Sequence, residues 1–265
     1  MAARWLEAFR HLEKTPELWR CFRRFENWAT MTQHFFALPG SAYPVEVRTR
    51  SGLHITLQEF CDALAVWEMY CREQYRVPHD AQTIVDVGAN IGIFTIWAAR
   101  QAPSARVFSF EPFPQTFARL TENIRSHGLD SRTSCHRAGL AAASGCRSMS
   151  TEPIASVARA LLPADVPGDG SVQVTVLTLA ELIKQVQDAN FGKRIDVLKL
   201  DIEGAEHEVL PGIAPEALAP VDLIEVEYHP PLPKEPIFDA LNRAGFRCIK
   251  DAKAGINLGV AHFGR

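Results

Sequence analysis

The chain reads as an α/β protein built on a mainly parallel sheet, preceded by a helical extension with a short β-hairpin. Two observations predict the sheet and one the extension. From Thr83 onward, strand-length apolar runs alternate with segments of helical period: "TIVDV" then "IFTIWAARQ", "ARVFSFEP" then "QTFARLTENIRSHG". Such alternation implies right-handed crossovers and therefore parallel strands. The 265 residues, 47% of them hydrophobic, suffice for one sizeable core with a small added subdomain. Before Thr83 the apolar residues recur instead at three- and four-residue steps.

In the extension, Trp5, Phe9 and Leu12 and then Leu18, Phe22 and Phe25 mark two helices, with Thr15-Pro16 as the start signal of the second. This aromatic stripe is expected to be a docking face. "LPGSAYP" is a loop, and "VEVRTRSGLHITL" alternates as two short strands around Ser51-Gly52. "QEFCDALAVWEMYCREQY" closes the extension as a helix, whose Trp67 and Tyr70 either pack in a core or cover a pocket as a lid. We place the boundary near residue 80, so that 1–80 is a lid or dimer face and 81–265 the main domain.

After the first two strand–helix pairs, "TSCHRAGL" is a third strand. Residues 141–171 then interrupt the rhythm as an insertion rich in Ala, Ser, Pro and Gly. It is either a mobile segment near a site or a surface loop leading into the strand "SVQVTVLTL". Order returns with the helix "TLAELIKQVQ", the strand "IDVLKLDIEGAE", a short helix "EHEVLPGI", the strand "VDLIEVEYHP" and the helix "EPIFDALNRAGF". The remaining tail supplies two more strands.

Composition narrows the function classes. A net charge of −3 gives no basis for binding nucleic acid or an anionic membrane surface. No apolar run approaches the ~20 residues that span a bilayer. The N-terminus lacks an apolar signal core, and Glu7, Glu13 and Glu17 argue against a transit peptide, so a cytoplasmic protein is expected. The cysteines at 21, 61, 71, 135, 146 and 248 form no C-x-x-C pair, which predicts reduced, mostly packed thiols and no zinc site.

The most informative stretch is "TIVDVGANIGIFTI". In an open parallel sheet, ligands sit beyond the carboxyl ends of the strands, and Asp86-Val87-Gly88 is such an end. Glycine lets backbone approach a ligand closely. Asn90 either hydrogen-bonds that ligand or stabilises the turn. The dinucleotide fingerprint G-x-G-x-x-G is not met, because Gly88 and Gly92 are separated by three residues and position 90 is asparagine. An acid before the turn also suits a cationic ligand better than a phosphate.

Glu111 ends the second strand, 23 positions after Gly88. An acid at about this distance commonly holds ribose hydroxyls. Glycine turn and acid together describe a site for a positively charged nucleoside, and S-adenosylmethionine fits.

"TIVDVGANIGIFTIWAA", "VFSFEPFPQTFARLTENI" and "IDVLKLDIEGAEHEVLPG", in this order and spacing, resemble the FkbM-type methyltransferases, a branch of the class I S-adenosylmethionine-dependent enzymes. The likeness runs from about Glu68 to about His229. It implies a Rossmann-like seven-stranded sheet with helices on both faces. It further implies Asp86, Gly88, Ala89, Asn90, Gly92 and Glu111 at the cofactor, with Phe113 either near the adenine or in the core. Gly139 and Leu140 would lie by the adenine edge, contacting it through backbone or apolar atoms.

"VLKLDIEGAE" places Lys199, Asp201 and Glu203 on one strand face, and "LIEVEYHP" does the same for Glu225, Glu227 and His229. Parallel strands covered on both sides normally read as continuous apolar runs. We therefore expect Lys199 to pair with Glu225 or Glu227, since unpaired buried charges are costly. Towards the strand ends Asp201, Glu203 and His229 are the candidate catalytic residues, His229 or Asp201 serving as base. Glu206 opens the next helix, where an acid favours the dipole. The carboxylates with His229 could also hold a hard divalent ion, but no acidic pair falls on ligand spacing, and no metal is assigned.

The expected activity is O-methylation of a hydroxyl on a sugar or polyketide-like natural product, with S-adenosylhomocysteine as the other product. The expected partners are a small-molecule or glycan acceptor and, as an open reading, a second copy of the chain. Two alternatives remain at this point: a non-catalytic cofactor-binding or scaffold protein, and a nicotinamide-dependent oxidoreductase.

Overall fold

A computed structural model describes residues 15–150, 170–255 and 258–265. Residues 1–14, and with them the Trp5-Phe9-Leu12 stripe, lie outside the described residues, as does most of the 141–171 insertion. The chain divides into two units, Met1–Gln74 and Tyr75–Arg265.

In the first unit, helices α1 (Thr15–Arg24) and α2 (Trp28–Phe35) precede a two-stranded antiparallel hairpin, β1 (Val45–Arg48) and β2 (His54–Leu57). Helix α3 (Phe60–Trp67) runs on into a π-helical turn, Glu68–Arg72. The apolar periodicity finds its core here. Phe25, Met31, Val47, Leu57 and Trp67 are fully buried, and Trp67 stacks on Phe35 with ring centres 4.0 Å apart. Tyr70 meets Phe25 edge-on at 5.7 Å. Both candidate lid aromatics are thus core residues of this unit, and Phe25 leaves the predicted docking stripe for the same core. Trp19, Phe22 and Trp28 stay exposed.

The second unit is organised by a seven-stranded sheet of order β11-β12-β10-β9-β3-β4-β5. Its strands are β3 (Thr83–Val87), β4 (Arg106–Phe110), β5 (Thr133–His136), β9 (Ile195–Leu200), β10 (Val221–Tyr228), β11 (Arg247–Gly255) and β12 (Leu258–Gly264). β5, β4, β3, β9 and β10 are parallel, and the hairpin β11–β12 closes one edge antiparallel to β10. The helices are α4 (Ile93–Gln101), α5 (Pro114–Ser126), α6 (Leu179–Ala189), the short α7 (Glu206–Val209) and α8 (Glu235–Arg243). Helix α4 buries seven of its residues, which explains its nearly uniform apolarity. Helix α6 starts on the reciprocal cap between Thr178 and Glu181.

The predicted third strand is broken in two: β5 ends at His136, and β6 (Gly139–Leu140) leaves the main sheet. β6 joins β8 (Ser171–Leu177) and β7 (Gly145–Ser150) in a separate three-stranded sheet. The insertion therefore frames a hairpin, whose Met149, Val174 and Val176 pack with Phe113 and Ala141.

All six cysteines are free. Cys21 and Cys71 are buried and Cys61 and Cys135 partly so, in line with mostly packed thiols, while Cys146 and Cys248 are exposed. Among the described residues no helix is long and apolar enough to cross a membrane.

Strand order reverses between β3 and β9, and the chain is tightest there. A Cβ built on Gly88 would stand 1.7 Å from the Asp201 carbonyl oxygen, and Gly88 has φ +75°. The close approach its glycine permits is thus to the neighbouring strand end. Gly88→Ala should destabilise the fold by roughly 3 kcal/mol or more. Chemical denaturation would read this, and a loss under 1 kcal/mol would show that the strand end can give way.

Candidate active site

The carboxyl ends of β3, β4 and β9 converge because their first loop residues are tied together. The Gly88 and Ala89 amides both donate to the Phe110 carbonyl, at 3.0 and 2.9 Å, and the Asp201 amide donates to Val87 at 3.1 Å. Above this seam opens a cleft with about 740 Å³ of empty space, mouth included.

One wall comes from the first motif. Gly88, Asn90, Glu111 and Phe113 line the cleft, together with Gly139 and Leu140. Glu111 is nearly buried, and each of its oxygens is positioned by a backbone amide: Oε2 accepts from Asn90 at 3.0 Å and Oε1 from Phe113 at 2.9 Å. Each oxygen keeps a lone pair for another donor. Burial raises Glu111 to about 7, although these two amides favour its charged form. Asn90 reaches this geometry with φ 49°, a left-handed conformation that asparagine tolerates better than most residues.

The opposite wall is the loop "DIEGAE". Asp201, Ile202, Glu203 and Ala205 line the cleft. Glu206, fully buried, accepts from the loop amides of Ile202 at 2.9 Å and Gly204 at 2.8 Å, so it staples this loop rather than only facing a helix dipole. Glu203 adopts φ 54°. Burial and the Asp201 charge raise it to about 7.

Behind the walls runs a buried polar row. Lys199 Nζ lies 3.1 Å from Asp86 Oδ1 and 3.2 Å from Asp201 Oδ2. The expected pairing of Lys199 with a β10 glutamate is therefore corrected. Lys199 is in register with both Asp86 and Glu225. Glu225, however, is engaged elsewhere: it accepts from the Arg76 amide at 2.7 Å and lies 3.1 Å from His262 Nδ1. Glu227 accepts from the Tyr75 hydroxyl at 2.7 Å. Burial opposes the Lys199 charge, but Asp86 and Asp201 outweigh it and hold the ammonium above its usual range.

The residues predicted from sequence divide accordingly. Gly88, Asn90, Glu111, Phe113, Asp201 and Glu203 come together on the cleft. Asp86, Ala89, Gly92 and His229 are not on its lining. Asp86 is fully buried; Lys199 and the Thr95 hydroxyl, at 2.6 Å, occupy its carboxylate, so its charge is matched inside the protein and not offered to a cationic ligand. Gly92 opens α4 with φ +89°, against Leu120. His229 Nδ1 lies 3.1 Å from Glu206 Oε1. Burial works against its charge, but Glu206, Asp201 and Glu203 push it up to about 10, so it stands protonated rather than ready to accept a proton. Sequence reasoning missed Thr116 and Met149 on the lining, and Tyr75 behind it. Thr116 carried a weak signal, lying three residues past Phe113 in the same motif; Met149 lies in a segment without one.

Comparisons with known proteins bear on the family and the fold. The sequence profile of the methyltransferase FkbM domain matches residues 86–248. Methyltransferase sdnD of Sordaria araneosa is 30% identical over 195 residues, covering 63% of this chain and 74% of that protein. The hexuronic acid methyltransferase AglP of Haloferax volcanii is 36% identical over 144 residues, 54% of each chain. The 31-O-demethyl-FK506 methyltransferase FkbM of Streptomyces tacrolimicus is 27% identical, over 49% of this chain and 58% of that one. The chain thus spans little more than half the length of these last two. A crystal structure of methyltransferase FkbM from Methylobacillus flagellatus superposes with a TM-score of 0.50 at 15% identity, over 97% of this chain and 60% of that one, and bears on the fold alone.

The buried pair yields a prediction. Lys199→Met should cost about 3–5 kcal/mol, because it strands the Asp86 charge. Adding Asp86→Asn should recover part of that loss in a denaturant melt. Strictly additive losses would mean the two groups do not act as a pair.

Proposed function

Because the chain belongs to the FkbM methyltransferase family, we propose that it transfers the methyl group of S-adenosylmethionine to a hydroxyl of a sugar or polyketide-like natural product. The observation that carries this reading is Glu111. A carboxylate fixed by two backbone amides at the rim of the cleft suits a vicinal diol, with Gly139, Leu140 and Phe113 offering a backbone and apolar surface to a base. The names of the relatives AglP and FkbM, a hexuronic acid methyltransferase and a 31-O-demethyl-FK506 methyltransferase, support the acceptor class.

The acceptor oxygen would attack the methyl carbon in line with the sulfonium. An O–C bond forms, the S–C bond breaks, and the electron pair leaves on sulfur as the neutral thioether of S-adenosylhomocysteine. Positioning alone can supply roughly 7–11 kcal/mol of such a barrier. The hydroxyl proton must also leave, and Asp201 or Glu203, on the wall opposite Glu111, would take it. Of the three candidate catalytic residues these two line the cleft. His229 stands behind them and serves to position them.

Calorimetry with S-adenosylhomocysteine and NAD tests the cofactor; binding of NAD alone would favour an oxidoreductase. Glu111→Ala should weaken S-adenosylhomocysteine by about 1.5–3 kcal/mol, and unchanged affinity in the folded variant would remove the ribose assignment.

The same carboxyl sets a pH dependence. Its folded value of about 7 means a proton must leave before it can accept two hydroxyl donors. Affinity should therefore level off above about pH 8 and fall on acidification, about tenfold from pH 8 to pH 6. Glu111→Gln should flatten this profile; a slope that survives the substitution would have to come from another group.

Glu203→Gln should leave S-adenosylhomocysteine affinity nearly intact while lowering turnover by roughly 10²–10⁴-fold. Normal turnover of a competent acceptor would exclude Glu203 from the proton's path.

A further inference from the structure

We propose that Asp201, Glu227 and His229 bind one divalent metal ion beside the cleft. One ligand atom from each side chain lies within 4.8 Å of the others. His229 Nε2 stands 3.9 Å from Asp201 Oδ1 and 3.9 Å from Glu227 Oε1. Atoms sharing one metal at bond lengths near 2.1 Å are themselves about 3–4 Å apart, so small side-chain movements close the set. Asp201 follows β9, Glu227 lies near the end of β10 and His229 follows it, so two adjacent strands deliver all three groups to the carboxyl end of the sheet.

The second observation lies outside the three ligands. Each of them has its other polar atom held by an outer partner. Glu206, fully buried, takes His229 Nδ1 at 3.1 Å, and Nε2 faces the carboxylates, where a bound metal ion would take the place of its proton. Lys199 takes Asp201 Oδ2 at 3.2 Å, leaving Oδ1. The Tyr75 hydroxyl donates to Glu227 Oε2 at 2.7 Å, while Oε1 faces His229. Anchoring each ligand through its far atom is how metal sites fix ligand orientation.

Charge points the same way. Glu203 Oε2 is a third carboxylate 3.4 Å from Nε2, and the Lys199 ammonium is shared between Asp201 and Asp86. This corrects the expectation from sequence, where no acidic pair fell on ligand spacing. Asp201 and Glu227 lie on neighbouring strands, a proximity that their positions in the chain do not reveal.

Two carboxylates and one imidazole suit an ion that prefers oxygen yet accepts nitrogen, of the Mn²⁺ type. Three protein ligands leave coordination positions open, and Asp201 lines the cleft. An acceptor hydroxyl bound there would lose its proton more readily; that consequence rests on the proposed methyl transfer, whereas the metal site does not.

The test is Mn²⁺ titration of the full chain near pH 7.5 without cofactor, followed by the loss of the free-ion electron paramagnetic resonance signal. One equivalent should bind. Glu227→Gln and His229→Gln should each weaken binding on the order of a hundredfold, and Tyr75→Phe, which keeps all three ligands, by about tenfold. No saturable uptake by the native chain, or uptake unchanged in both ligand variants, would overturn the site. If either ligand variant fails to fold, Tyr75→Phe decides, and unchanged Mn²⁺ affinity there counts equally against it. Calorimetry with S-adenosylhomocysteine on the same proteins separates the two readings. Cofactor binding without Mn²⁺ binding removes the metal alone, and Mn²⁺ binding without cofactor binding removes the methyl donor alone.

Discussion

The ion pair between Lys199 and Asp86 constrains everything around it. The two residues face each other across β3 and β9, where the strand order reverses, and both side chains are almost completely buried. Two charges withdrawn from water are tolerated only in good geometry with their remaining hydrogen bonds satisfied. Thr95 supplies one of those bonds to Asp86 and itself contacts Ser109, while the Gly88 carbonyl accepts from Lys199 at 3.2 Å. The rings of Phe94 and Tyr75 lie 5.4 and 5.9 Å from the ammonium. Helix α4, the first loop and two central strands are thereby locked into one register.

The same pair joins the two walls of the cleft. Lys199 reaches Asp201, the first residue of the wall formed by the loop "DIEGAE", while Asp86 lies two residues before Gly88, at the root of the other wall. Gly88 has no room for a side chain because the Asp201 carbonyl abuts it. A shift of either wall must move the other. That rigidity matters for a displacement reaction, whose rate depends on holding donor and acceptor in line.

Left-handed backbone at Asn90 and Glu203, one on each wall, fits this picture. Such conformations cost of order 1–3 kcal/mol for a residue like glutamate and persist where surrounding structure over-determines them. At Glu203 the surrounding structure is Glu206, which fixes the amides on either side of it. The loop thus presents its carboxylates in a shape that free loop sequence would not hold.

The sequence by itself determined the element order, the parallel sheet and one wall of the site. Apolar period, glycine spacing and an acid at a strand end are local signals, and Gly88, Asn90 and Glu111 act within a single strand–turn–helix unit and its neighbour. Only the tertiary structure decided how the charges are matched. Lys199 could read as a partner of Glu225 or Glu227, but its ammonium lies between Asp86 and Asp201, because Glu225 is claimed by Arg76 and His262 and Glu227 by Tyr75. His229 read, beside Asp201, as a candidate base, whereas Glu206 and its neighbouring carboxylates favour its protonated form. The break at His136 that sends β6 to the hairpin sheet was hidden in one continuous strand-like run. These outcomes depend on side chains tens of residues apart sharing one low-dielectric space, where the nearest competing partner decides, and spacing along the chain carries no record of that competition.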